Sequence, residues 1–304
     1  MSEVKNYNEV TSIASKHLGK VGGDGYRDQY DPELLVGIPR NLNREAYNID
    51  DHNLPFVGYD VWNAYEVSVL THKGLPVSGM MKIVCPANSL THVESKSIKL
   101  YLNSYNMTRM GDTAEQAKSI FEARVAKDLT LLLQKEVEVK MFTDEASDSF
   151  HFQGFTKLQY LTELDTIEFD NYYSDADALK TAYTYETGQE YKIQSDLLRS
   201  NCRVTNQPDW GDVFIHMVGK NEPDFTSLAE YIVSHRKVSH FHEEVVEMMF
   251  THLKKAYEPD ELMVTALYTR RGGIDINPIR STSEDLIPRK FFDPSVRIKK
   301  TLRQ

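Results

Sequence analysis

Apolar and polar positions follow two periods along this chain, and the periods recur in the same order in both halves. From Val61 to Leu70, apolar and β-favouring residues alternate with polar ones. A second such run, Val77 to Val84, follows a Lys73-Gly74 turn, which predicts an antiparallel hairpin. Thr113-Ala-Glu-Gln116 then has the form of a capping box opening a long helix. Along that helix Ala117, Phe121, Val125, Leu129 and Leu133 recur every four residues on one face. Val137 to Phe142 reads as a further strand.

The second half repeats this order. Tyr191 to Leu198 and Val213 to Val218 read as strands, Ser227-Leu-Ala-Glu230 as the cap of a short helix, Phe241 to Tyr257 as a longer helix, and Leu262 to Tyr268 as a strand. The two long helices share a register, with Phe241, Val245, Met249 and Leu253 matching Phe121, Val125, Leu129 and Leu133. This points to an internal duplication, with lobes at 1–155 and 156–304. Strands, then helices, then strands in each lobe predict an α+β fold with helices on one face of antiparallel sheets. Open sheets leave edges, and assembly with further copies would cover them. Residues 1–60 read as a polar, irregular extension, and 143–185 as an acidic, tyrosine-rich connector.

Composition narrows the class. A chain of 304 residues suits two domains of roughly 150 each. Its formal charge of −10 argues against direct nucleic-acid binding, which needs a basic surface. No run approaches the ~20 apolar residues that span a bilayer, and the first residues lack the layout of a secretory signal. The two cysteines make no disulfide framework. A cytoplasmic protein is expected.

Candidate chemistry centres on Cys202, in the polar loop Leu198-Arg-Ser-Asn-Cys-Arg-Val-Thr-Asn-Gln-Pro-Asp-Trp210. Arg199 and Arg203 stand near it in sequence, and cations favour the nucleophilic thiolate. An ordinary loop thiol fits the same residues. Cys85, after an apolar strand, reads as a packed core thiol. Gly19-Lys-Val-Gly-Gly-Asp-Gly25 has no preceding strand or following helix, so it reads as a turn rather than a dinucleotide loop. His240, His242 and Glu243 open the second long helix, where acidic residues are favoured in any case. His-x-His alone is a weak metal signature. Val93-Glu-Ser-Lys-Ser-Ile-Lys-Leu-Tyr101 reads as a solvated amphipathic turn. In Arg270-Arg-Gly-Gly273, guanidinium groups suit phosphate oxygens and glycines allow close backbone approach, although a plain turn has the same composition.

Taken in order, Glu94-Ser-Lys-Ser97, Ser200-Asn-Cys202, Phe241-His-Glu243 and Arg270-Arg-Gly-Gly273 resemble the motifs of the long, two-lobed NADPH-dependent 7-cyano-7-deazaguanine reductases. The likeness extends over nearly the whole chain, including Pro55 to Glu66 and Gly273 to Pro278. It implies the tunnelling fold, in which ββααββ units associate into barrels, and a homodimer. It also implies reduction of a nitrile to a primary amine with two equivalents of NADPH and no metal, in queuosine biosynthesis. In the roles it implies, Cys202 is the nucleophile and Asp209 the proton donor. Val93, Glu94, Ser95, His242 and Glu243 hold the deazapurine, while Ser95, Lys96, Arg271 and Gly272 contact NADPH. Thioimidate formation at Cys202 makes the nitrile carbon a hydride acceptor. A donor Asp209 would be protonated near neutrality through desolvation. His242 is the expected shuttle for later protons. A metal-dependent, cyclohydrolase-type enzyme acting on a purine or pterin, and a non-catalytic binding lobe, are the alternatives.

Overall fold

The structure, a computed structural model, describes residues 27–143, 149–203 and 207–301. The glycine-rich run at 19–25 lies outside them. In the first half the main elements are β1 (Gly37–Pro39), β2 (Val57–Leu70), β3 (Pro76–Pro86), β4 (Thr91–Val93), α1 (Ser95–Asn103), α2 (Ala114–Leu133) and β5 (Glu138–Phe142). The second half contributes β6 (Thr181–Ser195), β7 (Arg199–Cys202), β8 (Pro208–Pro223), α3 (Phe225–Ser234), β9 (Ser239–His240), α4 (His242–Tyr257), β10 (Glu261–Tyr268) and β11 (Ile274–Ser281).

Local chemistry explains most of these boundaries. Gly74 turns the β2–β3 hairpin with φ of +87°, a conformation open to glycine. Thr113 caps α2 by accepting from the Gln116 amide at 3.2 Å. The second half begins its first helix earlier than Ser227, because Asp224 accepts from the Ser227 amide at 2.9 Å and is the true cap. The stretch expected as a solvated turn after Val93 is instead α1. Its buried Ile98, Tyr101 and Leu102 lie at helical spacing among lysines and serines, too few apolar positions to announce a helix.

One ten-stranded sheet runs through both halves. β5, β3 and β2 lie in that order, and β2 pairs antiparallel with β11 from Ala64↔Ile274 to Val57↔Ser281. β10 and β8 follow, and β8 pairs along its length first with β7 and then with β6. The short β9–β7 pairing is parallel, so the sheet is mixed. Among the described residues it does not close into a barrel: β5 bounds it at one end, and at the other it ends in β9 beside β7 and in the short strand Thr156–Lys157, which pairs parallel with Ile193 and Gln194 of β6.

Two apolar clusters lie under the helices. One joins Trp62, Met81, Ile83, Ile98, Phe121 and Leu129, the other Val213, Ile215, Ile232, Met249, Phe250 and Val264. The opposite sheet face buries Val61, Val84, Phe214 and Met263 beneath Phe152, Phe155 and Phe291.

The segment before β2 is less irregular than its composition suggests. Leu34, Val36 and Ile38 are buried, and so are the guanidinium groups of Arg40 and Arg44. Arg44 reaches both oxygens of Glu247 on α4, at 3.0 and 2.8 Å. Arg40 pairs with Asp60 on β2, and Arg280 of β11 bridges Asp60 and Glu247 at 2.8 and 2.9 Å. Buried charges must be matched to be tolerated, so this network ties the early segment to both halves.

Candidate active site

The seven-residue spacing of Cys202 and Asp209 becomes a geometry once β7 and β8 pair. Asn201 faces Pro208 and Ser200 faces Asp209 across the antiparallel ladder. Side chains two apart on a strand share a face, so Cys202 and Asp209 are diagonal neighbours on one face. Both line a cavity of about 430 Å³. Val93, Ser95 and Lys96 enter it from the β4–α1 corner, His242 and Glu243 from the first turn of α4, and Arg271 and Gly272 from the β10–β11 turn. Nine of the ten residues expected at the site therefore meet around one space. Among the described residues, no group of three or more His, Cys, Asp and Glu is arranged to hold a metal.

Glu94 is the tenth. It is buried, and its carboxylate caps α1: one oxygen accepts from the Lys96 and Ser97 amides at 3.0 and 2.7 Å. The other takes a long 3.4 Å contact from the Ser95 hydroxyl. Burial raises its pKa, against the pull of these amides and the charges of Lys96 and His92.

Asp209 departs from expectation. Burial works to raise its pKa, but the His242 hydrogen bond and charge, followed by Arg271, outweigh it and hold the carboxyl below its usual value. His242 Nε2 lies 3.4 Å from one oxygen, and Arg271 donates to the other. Its neighbours therefore favour the carboxylate form, against the burial that would favour the acid. The cations expected beside Cys202 also turn elsewhere: Arg203 pairs with Glu244 at 2.8 Å, and Arg199 lies over the Trp210 ring. Cys202 is partly exposed, whereas Cys85 is buried and its thiol pKa pushed up by that burial.

The rest of the wall had been given no role in the site. Trp62, Phe241, Ile274 and Ile276 form an apolar side, and Lys99, Gln207 and His240 add polar groups. Lys99 was within reach of sequence reasoning, because it stands one helical turn after Ser95 on the same face. The His242 ring lies flat on Tyr268, with centroids 3.8 Å apart and planes 4° apart, which fixes its orientation.

The residues present suit a phosphate-bearing dinucleotide at the basic rim. Lys96 Nζ is buried with no hydrogen-bond partner among the described residues, as an ammonium awaiting an anion would be. Gly272 has φ of +57°, a left-handed backbone that favours glycine beside Lys99.

Comparison with known proteins places the chain in a family. A family profile described as nitrile reductase, 7-cyano-7-deazaguanine reductase, N-terminal part, matches residues 26–141. A second, described as QueF-like protein, matches 208–286. The NADPH-dependent 7-cyano-7-deazaguanine reductase of Colwellia psychrerythraea is 39% identical over 286 residues, 93% of this chain and 97% of that one. The chain belongs to the nitrile reductases, and within them to the NADPH-dependent 7-cyano-7-deazaguanine reductase family, in the long form that carries both parts. A solved structure, the apo form of the archaeosine synthase QueF-Like, matches 34% of this chain and 97% of that chain at 17% identity with a TM-score of 0.28, too slight a likeness to bear on the fold.

Proposed function

We propose that the cavity between the two halves carries out the family's reaction, NADPH-dependent reduction of 7-cyano-7-deazaguanine to the aminomethyl base in queuosine biosynthesis, through a covalent bond to Cys202. The observation that carries this reading is the shared face of Cys202 and Asp209 in one cavity, where His242 and Arg271 hold the Asp209 pKa down. A carboxylate beside a thiol serves as its base. Asp209 takes the thiol proton, the Cys202 sulfur adds to the nitrile carbon, and Asp209 returns that proton to the nitrile nitrogen. The resulting thioimidate contains every atom of the thiol and the nitrile, so no outside proton enters at this step.

NADPH, when bound, supplies a hydride to the substrate carbon in each of two rounds. Lys96, Arg271, Gly272 and Ser95 hold it, with Lys99 beside them. After the first round the Cys202 sulfur leaves, and the imine stays within the apolar wall of Trp62, Phe241, Ile274 and Ile276, which keeps water from it. His242, held against Tyr268 and 3.4 Å from Asp209, passes the later protons. Glu243 and the less committed oxygen of Glu94 accept the N–H groups of the base, and Val93 packs against it. A base lacking those donors leaves buried acceptors unpaired and is rejected.

Two tunnelling-fold lobes, at 1–155 and 156–304, and a cytoplasmic homodimer complete the reading. The β5 edge and the stretch of β6 before Ile193 support assembly between copies, as do Tyr183 and Tyr185, 59% and 36% exposed near the start of β6. The deciding experiment is intact mass after incubation with the cyano base and no NADPH. The protein should gain the mass of the base, and Cys202→Ala should gain nothing and oxidise no NADPH. If Cys202→Ala still consumed NADPH in proportion to nitrile, the reading would fail.

A further inference from the structure

His92 lies in β4, one residue before the cavity-lining Val93, and faces away from solvent with 4% of its surface exposed. Its backbone is fixed by pairing with Ile38 of β1. Its ring meets Phe241 edge to face, with centroids 4.9 Å apart. Nδ1 points at Oε1 of Glu243 from 3.6 Å. Both of these atoms are buried, and neither has a hydrogen-bond partner among the described residues. Two buried polar atoms left facing each other just beyond hydrogen-bond range are costly unless something completes them. The same ring also acts on the second carboxylate of the site, since its charge opposes the effect of burial on Glu94.

We propose that His92 is a positioning residue for the recognition of the base: it donates from Nδ1 to Oε1 of Glu243 and fixes the carboxylate whose remaining lone pairs receive the N–H groups of the deazapurine. The contact crosses between the halves, from β4 to the first turn of α4. It therefore sets the distance between the two acidic groups as well as the orientation of one. His92 touches neither the nitrile nor the sulfur, so its effect falls on binding and leaves the chemical step alone. This inference rests on the assignment of Glu243 to the base.

The test uses the full-length protein, with the thioimidate absorbance titrated by 7-cyano-7-deazaguanine in the absence of NADPH, alongside steady-state kinetics. His92→Leu is expected to raise the apparent Kd and KM for the base about ten-fold, the loss of one hydrogen bond to a charged group, with kcat at saturating base within about two-fold of the parent. His92→Asn places an amide nitrogen near the position of Nδ1 and should restore most of the affinity; His92→Gln, whose amide reaches the position of Nε2, should not. Unchanged KM in His92→Leu, a loss confined to kcat, or His92→Asn no better than His92→Gln would each overturn the proposal. If His92→Leu does not fold, the Asn and Gln variants decide by the same criterion. Glu243→Gln separates the two levels: if it binds the base as well as the parent, the assignment of Glu243 itself is wrong. If Glu243→Gln binds weakly while the His92 variants bind normally, only the role of His92 falls.

Discussion

α2 and α4 present the same four-residue apolar register to their sheets, yet they are buried in different ways. On α2 the buried side chains are the stripe Ala117, Phe121, Val125, Leu129 and Leu133, and Leu131 on the outer face is 67% exposed. On α4 the matching Val245, Met249 and Leu253 are buried, but so are Val246, Met248 and Phe250, together with the carboxylates of Glu243, Glu244 and Glu247. A helix with one apolar stripe is explained by packing alone. Buried acids need partners, and those of α4 come from Arg44, Arg280, Arg203 and His92, on segments far apart in sequence. The same register thus builds a supporting helix in one half and, in the other, a helix whose first turns join the halves and face the cavity.

The largest expected effect separates these two kinds of burial. Glu247→Gln leaves Arg44 and Arg280 facing a neutral group in the interior, and should cost about 3–5 kcal/mol in urea unfolding; a loss below about 1 kcal/mol would mean the network contributes little. Leu129→Ala and Met249→Ala remove matched apolar groups from the two helices, and each should cost about 2–5 kcal/mol. Their similarity tests whether the shared register carries shared packing.

Acid sharpens the contrast further. Glu247 is buried, which would raise its pKa, but Arg280, Arg44 and Arg40 hold it at about 2. Its folded value lies below the unfolded one, so its stabilisation is full above about pH 4.5 and is lost as pH falls toward 2. His235 is buried and pushed down to about 4. The unfolded chain binds that proton first, so stability falls as pH drops from about 6.5 to 4. His235→Leu should flatten the stability profile in the higher window and leave the lower one in place, as followed by thermal melting across pH. The smallest effect is expected at Leu131→Lys on the exposed face of α2, within about 0.5 kcal/mol of the parent.

The features legible in the sequence were those whose signal is local. The β2–β3 hairpin announces itself by alternation and Gly74, and α2 by its stripe and Thr113. The Cys202–Asp209 spacing is legible once a hairpin is assumed. α1 was hidden because its few apolar residues lie among lysines and serines. The early segment was read as irregular because Arg40 and Arg44 act through partners on β2 and α4, as far off as Glu247. The groups that lower the Asp209 pKa were hidden for the same reason: His242 and then Arg271, the latter 62 residues away, meet it only in the fold. His92, two residues before Glu94, carries no pattern of its own, and only the fold shows that it faces Glu243.

The pairing of β2 with β11 also sets a schedule for synthesis. The strand that begins at Val57 acquires its second neighbour only when the stretch ending at Ser281 has been made. During translation the first half therefore carries a bare hydrogen-bonding edge for more than two hundred residues of growth, the state in which chains pair wrongly with one another. Arg271 and Gly272 arrive with that last stretch, so the cavity has no complete wall in a nascent chain until they have been made.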